Sequence, residues 1–158
     1  MDERYSYRKP GHAALRNGRA SICNTAYLIT TTTQNREPLF LHFPAACVAA
    51  RCFEDAALLR TSRMLAWVLM PDHVHWLLQL GETDNLCDVV SRLKSASSRH
   101  SNRTLNRTGS LWSKAFHDHA LREEQDLQAV ARYIVANPLR AGLVKRIGDY
   151  PFWNAIWL

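Results

Sequence analysis

Two histidines stand one residue apart inside an apolar run, "MPDHVHWLLQL", at residues 70–80. A buried imidazole needs partners for its ring nitrogens, so simple filling of a core does not explain this pair. Side chains alternate along a strand, which places His73 and His75 on the same face. Two neutral imidazoles on one face can bind a single cation. The pair therefore predicts a metal site, and the structural alternative is two hydrogen-bonded histidines near a sheet end.

A second pair with the same spacing occurs in "AFHDHALR", residues 115–122. His117 and His119 are separated by Asp118, and their run is more polar than the first. They can be metal ligands, DNA contacts or partners of a neighbouring carboxylate. Exposure on a polar strand is the favoured interpretation, and their role is otherwise left open at this point.

A tyrosine lies outside the apolar stripe of the segment "EEQDLQAVARYIVANP", residues 123–138. The stripe recurs at helical spacing and consists of Leu127, Val130, Ala131, Ile134 and Val135. At about 100° per residue, Tyr133 points well away from the stripe's centre, and Asn137 follows it by four residues on the helix flank. Pro138 disfavours helical geometry at Asn137, so we expect the helix to end or bend there. A phenol in this position is either a nucleophile or a half-buried structural tyrosine.

An amide oxygen from Asn137 beside the two imidazoles would suit a hard divalent cation. Mg²⁺ or Mn²⁺, with open positions for phosphate, fits such ligands better than a closed zinc site. The four cysteines form no Cys-x-x-Cys pair, so neither a zinc knuckle nor a thioredoxin-like motif is present.

The chain is basic, with 20 Lys+Arg against 14 Asp+Glu and a net charge of +6. This charge favours a polyanion partner such as nucleic acid, although a solvated basic surface is the alternative. A basic N-terminal arm (1–20) precedes a single domain (21–158). The candidate DNA-binding residues are Arg16, Arg19, Arg92, Lys94, Arg99, Arg103, Trp112 and Arg140. Trp112 is the candidate for stacking on bases, whereas Trp76 is expected in the core.

The alternation and turn signals predict the order β-α-β-β-α-β followed by a further helix. The expected elements are a strand at 25–33, a helix at 44–60, strands at 63–70 and 73–80, a helix at 83–101, a strand at 115–122 and a helix at 123–138. This order is the ferredoxin-like α+β arrangement, an antiparallel sheet with helices on one face. We expect a cytoplasmic, nucleoid-associated protein, because neither a membrane-spanning run nor a secretory signal is present.

Four blocks of the sequence resemble the IS200/IS605-type single-tyrosine transposases, most closely the REP-associated tyrosine transposases. "WVLMPDHVHWLL" looks like the family's His-hydrophobic-His block, and "GRASICNTAYLITTTT" is similar to its entry strand. "LWSKAFHDHALR" and "YIVANPLRAGLV" look like its later blocks. The similarity runs from about residue 18 to residue 153, with the blocks in the family's order.

The resemblance implies a ferredoxin-like nuclease that cuts and rejoins single-stranded DNA near hairpins. It implies that His73, His75 and Asn137 bind the metal and that Tyr133 is the nucleophile, forming a 5′-phosphotyrosine link. It further implies a monomer acting on imperfect palindromes of the host genome, with a homodimer as the alternative.

Other functions also fit parts of this sequence. A relative that binds hairpin DNA without cutting it is the main alternative, followed by a non-catalytic nucleic-acid-binding module. A histidine-triad hydrolase is disfavoured because position 77 is Leu, so the third histidine is missing.

Overall fold

The computed structural model describes residues 21–122 and 125–158 of the chain. The elements in these residues, in chain order, are β1 (Ala26–Thr32), α1 (Phe43–Cys52), α2 (Ala56–Leu59), β2 (Arg63–Met70), β3 (His73–Gln79), α3 (Leu86–Thr104), β4 (His117–Ala120), α4 (Leu127–Val135), α5 (Asn137–Arg140) and β5 (Trp153–Ala155). The predicted arm, 1–20, with Arg16 and Arg19, lies outside the described residues. None of the described helices is both long enough and apolar enough to cross a membrane.

Five strands form one sheet in the order β4-β1-β3-β2-β5, and every neighbouring pair is antiparallel. Strands β2 and β3 make a hairpin that turns at Pro71-Asp72, as the turn-forming residues predict. The predicted ferredoxin-like α+β order is confirmed. The sequence pattern does not predict β5, because three residues carry too little alternation to indicate a strand.

The prediction of one continuous helix at 44–60 is wrong, because the segment forms two helices. Helix α1 ends at Cys52, and Asp55 begins α2 by accepting a backbone hydrogen bond from the first turn. The predicted helix at 83–101 is found three residues later, because Asn85 is the N-cap of α3 and accepts from the second residue of that helix. Capping side chains thus set both boundaries.

The sheet is covered on both faces, and the two faces have different helices. Trp76 is fully buried on the face that packs against α1 and α3, which confirms it as a core residue. Leu77 packs on the opposite face together with Ile134 of α4. His73 and His75 alternate with Trp76 along β3, so they share the face of Leu77. Helix α4 and the histidine pair therefore lie on the same side of the sheet.

Candidate metal and nucleophile site

The two histidines of β3 form a pair in which each Nδ1 atom is already engaged. Their ring centroids are 5.0 Å apart and the ring planes are nearly perpendicular. His73 Nδ1 lies 2.7 Å from Asp72 Oδ1, and His75 Nδ1 lies 2.7 Å from Thr30 Oγ1. Within the residues that the structure describes, neither Nε2 atom has a hydrogen-bond partner. Metal-binding histidines commonly donate their second ring nitrogen to a carboxylate, a backbone carbonyl or water. Asp72 has this place at His73, and the Thr30 hydroxyl has it at His75.

Asp72 fixes the tautomer of His73. An ionised carboxylate only accepts hydrogen bonds, so His73 Nδ1 carries the proton and Nε2 presents its lone pair. The other carboxylate oxygen, Oδ2, is 3.0 Å from Arg36 Nε. The backbone carbonyl of Asp72 also accepts from the backbone N–H and the hydroxyl of Thr33. The turn that precedes β3 is therefore built to hold this carboxylate in place.

His75 is neutral at physiological pH. Its pKa is lowered to about 3, mainly by burial of the ring and further by electrostatic interaction with His73, Arg140 and Arg36. Neutral imidazole is the form that binds a metal ion. The low pKa therefore keeps the second nitrogen donor available without loss of a proton on binding.

Helix α4 presents Tyr133 away from the core, as the apolar stripe predicts. The side chain is 49 % exposed, while Ile134 beside it is buried. The predicted start at residue 123 is wrong, because Asp126 is the N-cap of the helix and accepts two backbone hydrogen bonds. The helix is interrupted at Ala136, and α5 begins at Asn137, in agreement with the expected bend before Pro138.

Arg140 connects the tyrosine, the asparagine and the histidine pair. Its Cζ lies 4.1 Å from the centroid of the Tyr133 ring, and its Nη2 donates to Asn137 Oδ1 at 2.5 Å. Helices α4 and α5 both pack against β2, the strand that pairs with the histidine strand β3. The α4–α5 junction and the histidine strand therefore border the same region of the sheet face.

No three His, Cys, Asp or Glu residues of the described chain come close enough together to bind one metal ion. A cation held by His73 and His75 consequently needs ligands of another kind. The carboxamide oxygen of Asn137 and the oxygens of a substrate phosphate are of the appropriate chemistry.

The second histidine pair lies on the same sheet face, one strand beyond β1. Thr30 pairs with His75 on one side and with His117 on the other. Two strand spacings, about 10 Å, therefore separate the backbones of the two histidines. His119 is exposed near the end of the edge strand. In the described residues the two pairs do not combine into one metal site.

Two predicted DNA-binding cations are engaged within the fold. Arg92 donates to Asp84 at 2.9 Å and to the carbonyl of Leu58 at 2.7 Å. Lys94 donates to the carbonyl of Ser113 at 2.5 Å. These bonds tie α3 to its neighbouring segments, so both residues have a structural role that charge counting alone does not indicate.

The prediction that Trp112 stacks on DNA bases is corrected by its burial. The residue is 3 % exposed, and its ring packs 5.3 Å from that of Phe40. Its indole N–H donates to the hydroxyl of Ser97 on α3. The Gly-Ser context suggested an open loop, but an aromatic ring of this size contributes more by filling the core.

The remaining predicted DNA-binding residues are on opposite sides of the sheet. Arg99 and Arg103 are exposed on α3, which covers the face away from the histidines. Arg140 is exposed on the histidine face. DNA that contacts all three would have to pass around an edge of the sheet.

Sequence reasoning missed Asp72, Thr30 and Arg36. Asp72 could have been found from its position directly before His73, since carboxylates often orient metal-binding imidazoles. Thr30 and Arg36 depend on how β1 aligns with β3, which local sequence does not reveal.

The fold and the site define a class: an α+β protein of ferredoxin-like topology, with a histidine pair on a central strand and a tyrosine on the helix that covers the same face. The chain belongs to the IS200-like transposase family, whose model matches residues 21–137.

Named relatives agree with this assignment. A REP-associated tyrosine transposase of Escherichia coli K12 is 32% identical over 87 residues, covering 55% of this chain and 50% of the relative. A Haemophilus influenzae protein named for the same group is 32% identical over 98 residues, covering 56% of each chain. The chain thus spans about half the length of the curated relatives it matches.

A solved structure of a REP-associated tyrosine transposase bound to a REP hairpin has the same fold. The TM-score is 0.67 at 24% identity, covering 86% of this chain and 79% of that one. The resemblance to REP-associated tyrosine transposases is therefore confirmed.

Proposed function

We propose that this chain is a metal-dependent single-stranded DNA endonuclease and strand transferase that acts near DNA hairpins. The observation that supports it most directly is the histidine pair, in which both Nδ1 atoms are engaged and both Nε2 atoms are left for a ligand. A core pair would use both nitrogens of each ring. The tyrosine-bearing helix on the same face adds the nucleophile that such chemistry requires.

The donor set suits a divalent cation, Mg²⁺ or Mn²⁺. His73 and His75 would supply nitrogen, and Asn137 would supply an amide oxygen after releasing its present donor, Arg140. When bound, such a cation polarises a non-bridging phosphate oxygen and neutralises charge that develops on phosphorus. The orientation of His73 by Asp72 prepares the first of these ligands in advance.

In the proposed reaction Tyr133 loses its phenolic proton and its oxygen attacks a phosphodiester phosphorus. The bond between phosphorus and the 3′ oxygen breaks, and that oxygen leaves as a 3′-hydroxyl after taking a proton. The product is a 5′-phosphotyrosine link, which conserves the phosphoester bond. A 3′-hydroxyl can later attack the same phosphorus and release the tyrosine, so strands are rejoined without ATP.

The proposed DNA partner is supported by charge and by the similar fold. The chain carries a net charge of +6, and Arg99, Arg103 and Arg140 are exposed. The solved transposase of the same fold is bound to a REP hairpin. Phosphate contacts of this kind should make binding strongly dependent on salt.

Covalent capture tests the proposal. Incubation with a hairpin-bearing single-stranded oligonucleotide and Mn²⁺ should give an adduct that survives SDS. Tyr133→Phe should abolish the adduct, and His75→Ala should reduce it severely. Tyr150→Phe is the matched control, because that hydroxyl donates to the carbonyl of Leu69 inside the fold. An adduct that persists in Tyr133→Phe would refute the assignment of the nucleophile.

The alternative function is a relative that only binds hairpin DNA. It predicts oligonucleotide binding with no adduct under any divalent cation, and binding that His75→Ala leaves unchanged. The two engaged Nδ1 atoms favour the enzymatic function, because binding alone does not require oriented imidazoles.

A further inference from the structure

Arg140 is an exposed cation whose present partners belong to the candidate site. Its guanidinium donates to the carboxamide oxygen of Asn137 at 2.5 Å and lies 4.1 Å from the centroid of the Tyr133 ring. Within the described residues it forms no ion pair with a carboxylate. A guanidinium has five N–H donors, and these two contacts use only part of that capacity.

The oxygen held by Arg140 is the atom that Asn137 would offer to a cation. A divalent cation and a guanidinium repel each other, so close approach of both to one carboxamide oxygen is unfavourable. Binding of the metal by Asn137 therefore requires Arg140 to release this oxygen. The released guanidinium would remain beside the Tyr133 ring, since that contact involves the ring face and not the amide.

We propose that Arg140 is a phosphate-binding residue of the site, which exchanges the Asn137 oxygen for the phosphodiester that Tyr133 attacks. This inference rests on the proposed function and deepens it. Arginine suits this task because two parallel N–H donors match two non-bridging phosphate oxygens. In the attack, these donors would stabilise the negative charge that accumulates on the phosphoryl oxygens.

Arg132 provides a matched control. It is also an exposed arginine near Tyr133, on α4, but its guanidinium is turned to Gln128 of the same helix. It has the same charge and a similar position in sequence without a contact to Asn137. Differences between Arg140→Gln and Arg132→Gln therefore report the specific contacts of Arg140 and not the loss of one positive charge.

The first measurement is Mn²⁺ binding to the full chain without DNA, by calorimetry. If Arg140 competes with the cation for Asn137, Arg140→Gln should bind Mn²⁺ at least as tightly as the wild type, and up to about 10-fold more tightly, because the repulsion between the two cations is removed. Arg132→Gln should match the wild type. A clear loss of Mn²⁺ affinity in Arg140→Gln would overturn the exchange, because it would mean that the arginine braces Asn137 for the metal.

The second measurement is binding of a hairpin-bearing single-stranded oligonucleotide in the Tyr133→Phe background, where no covalent link can form. Mn²⁺ should tighten this binding. In the presence of Mn²⁺, adding Arg140→Gln should lower the affinity for the oligonucleotide by about 10-fold, and without Mn²⁺ it should change that affinity little. Adding Arg132→Gln should have a small effect that does not depend on Mn²⁺. Equal losses in the two arginine variants would overturn the phosphate role.

These measurements are independent of cleavage. If the wild type forms no covalent adduct, the proposed enzymatic function fails, while the coupling of Mn²⁺ and DNA binding through Arg140 can still be observed. If the adduct forms but the coupling is absent, only the role of Arg140 is refuted. Arg140→Lys should retain part of the oligonucleotide affinity, because it keeps the charge but loses the paired donors.

Discussion

Replacement of Asp72 by Asn is the sharpest test of how the histidine pair is organised. The side chain keeps its shape but loses the charge that accepts from His73 Nδ1 and pairs with Arg36. The new amide can turn its NH₂ group toward Nδ1, which favours the tautomer with the proton on Nε2. That tautomer has no lone pair for a metal ion on the outward nitrogen. The ligand would be present but presented in the wrong form.

Loss of a carboxylate that orients a metal-binding histidine costs about 10–100-fold in metal affinity, or roughly 1.4–2.7 kcal/mol. The ion pair with Arg36 is largely exposed on the arginine side, so its loss should change the free energy of unfolding by less than about 1 kcal/mol. We therefore expect Asp72→Asn to weaken Mn²⁺ binding much more than it weakens the fold.

Calorimetry with Mn²⁺ and thermal unfolding of the same samples would separate these effects. Asp149→Asn is a suitable control, because it removes a carboxylate from the exposed ion pair with Arg146, which is not part of the site. If Asp72→Asn bound Mn²⁺ like the wild type while His73→Ala did not, the carboxylate would have no part in orienting the imidazole.

Two further predictions concern the fold. Burial raises the pKa of Tyr150 to about 12, while an unfolded tyrosine ionises near 10. The folded state therefore keeps this proton in a pH range where the unfolded state loses it. The stability contributed by the neutral phenol should be present below pH 10 and lost as the pH rises from about 10 to 12. Absorbance at 295 nm and urea unfolding would check this, with Tyr150→Phe lacking the effect; release of this proton at pH 10 would contradict it. Gly81→Ala should destabilise the protein by about 1–3 kcal/mol, because its Cβ would collide with the backbone of Thr61, whereas Gly148→Ala has open space. Equal melting temperatures of the two variants would count against this packing.

The sequence predicted the parts of the site that depend on local periodicity. Alternation along β3 correctly predicted that His73 and His75 lie on the face opposite Trp76. The apolar stripe of α4 correctly predicted that Tyr133 points away from the core. Both results follow from geometry that repeats every two or 3.6 residues and needs no knowledge of the rest of the chain. The order of β1 to β4 and of the helices α1, α3 and α4 was predictable for the same reason.

Features that depend on distant pairing were not predictable. The bond between Thr30 and His75 exists because β1 aligns with β3 in one particular register, and a shift of one residue would turn the threonine to the other face. Trp112 was predicted to stack on DNA bases because its loop is polar. In the structure the loop folds onto α3 and buries the ring. In both cases the deciding contact lies in a segment far away in sequence.

The distribution of positive charge over the two faces bears on how DNA would be bound. Arg99 and Arg103 lie on the helix that covers the far face, so they cannot reach a phosphate held at His75. If all these residues contact one DNA molecule, Arg99 and Arg103 must bind a part that flanks the cleavage point. Of these three arginines, Arg140 is the one that contacts the tyrosine. Charge removal on α3 should then weaken affinity and its salt dependence without changing the rate of adduct formation at saturating DNA. If Arg140 has the proposed phosphate-binding role, the same change there should lower that rate even when all the protein is bound, because its donors would act on the transition state.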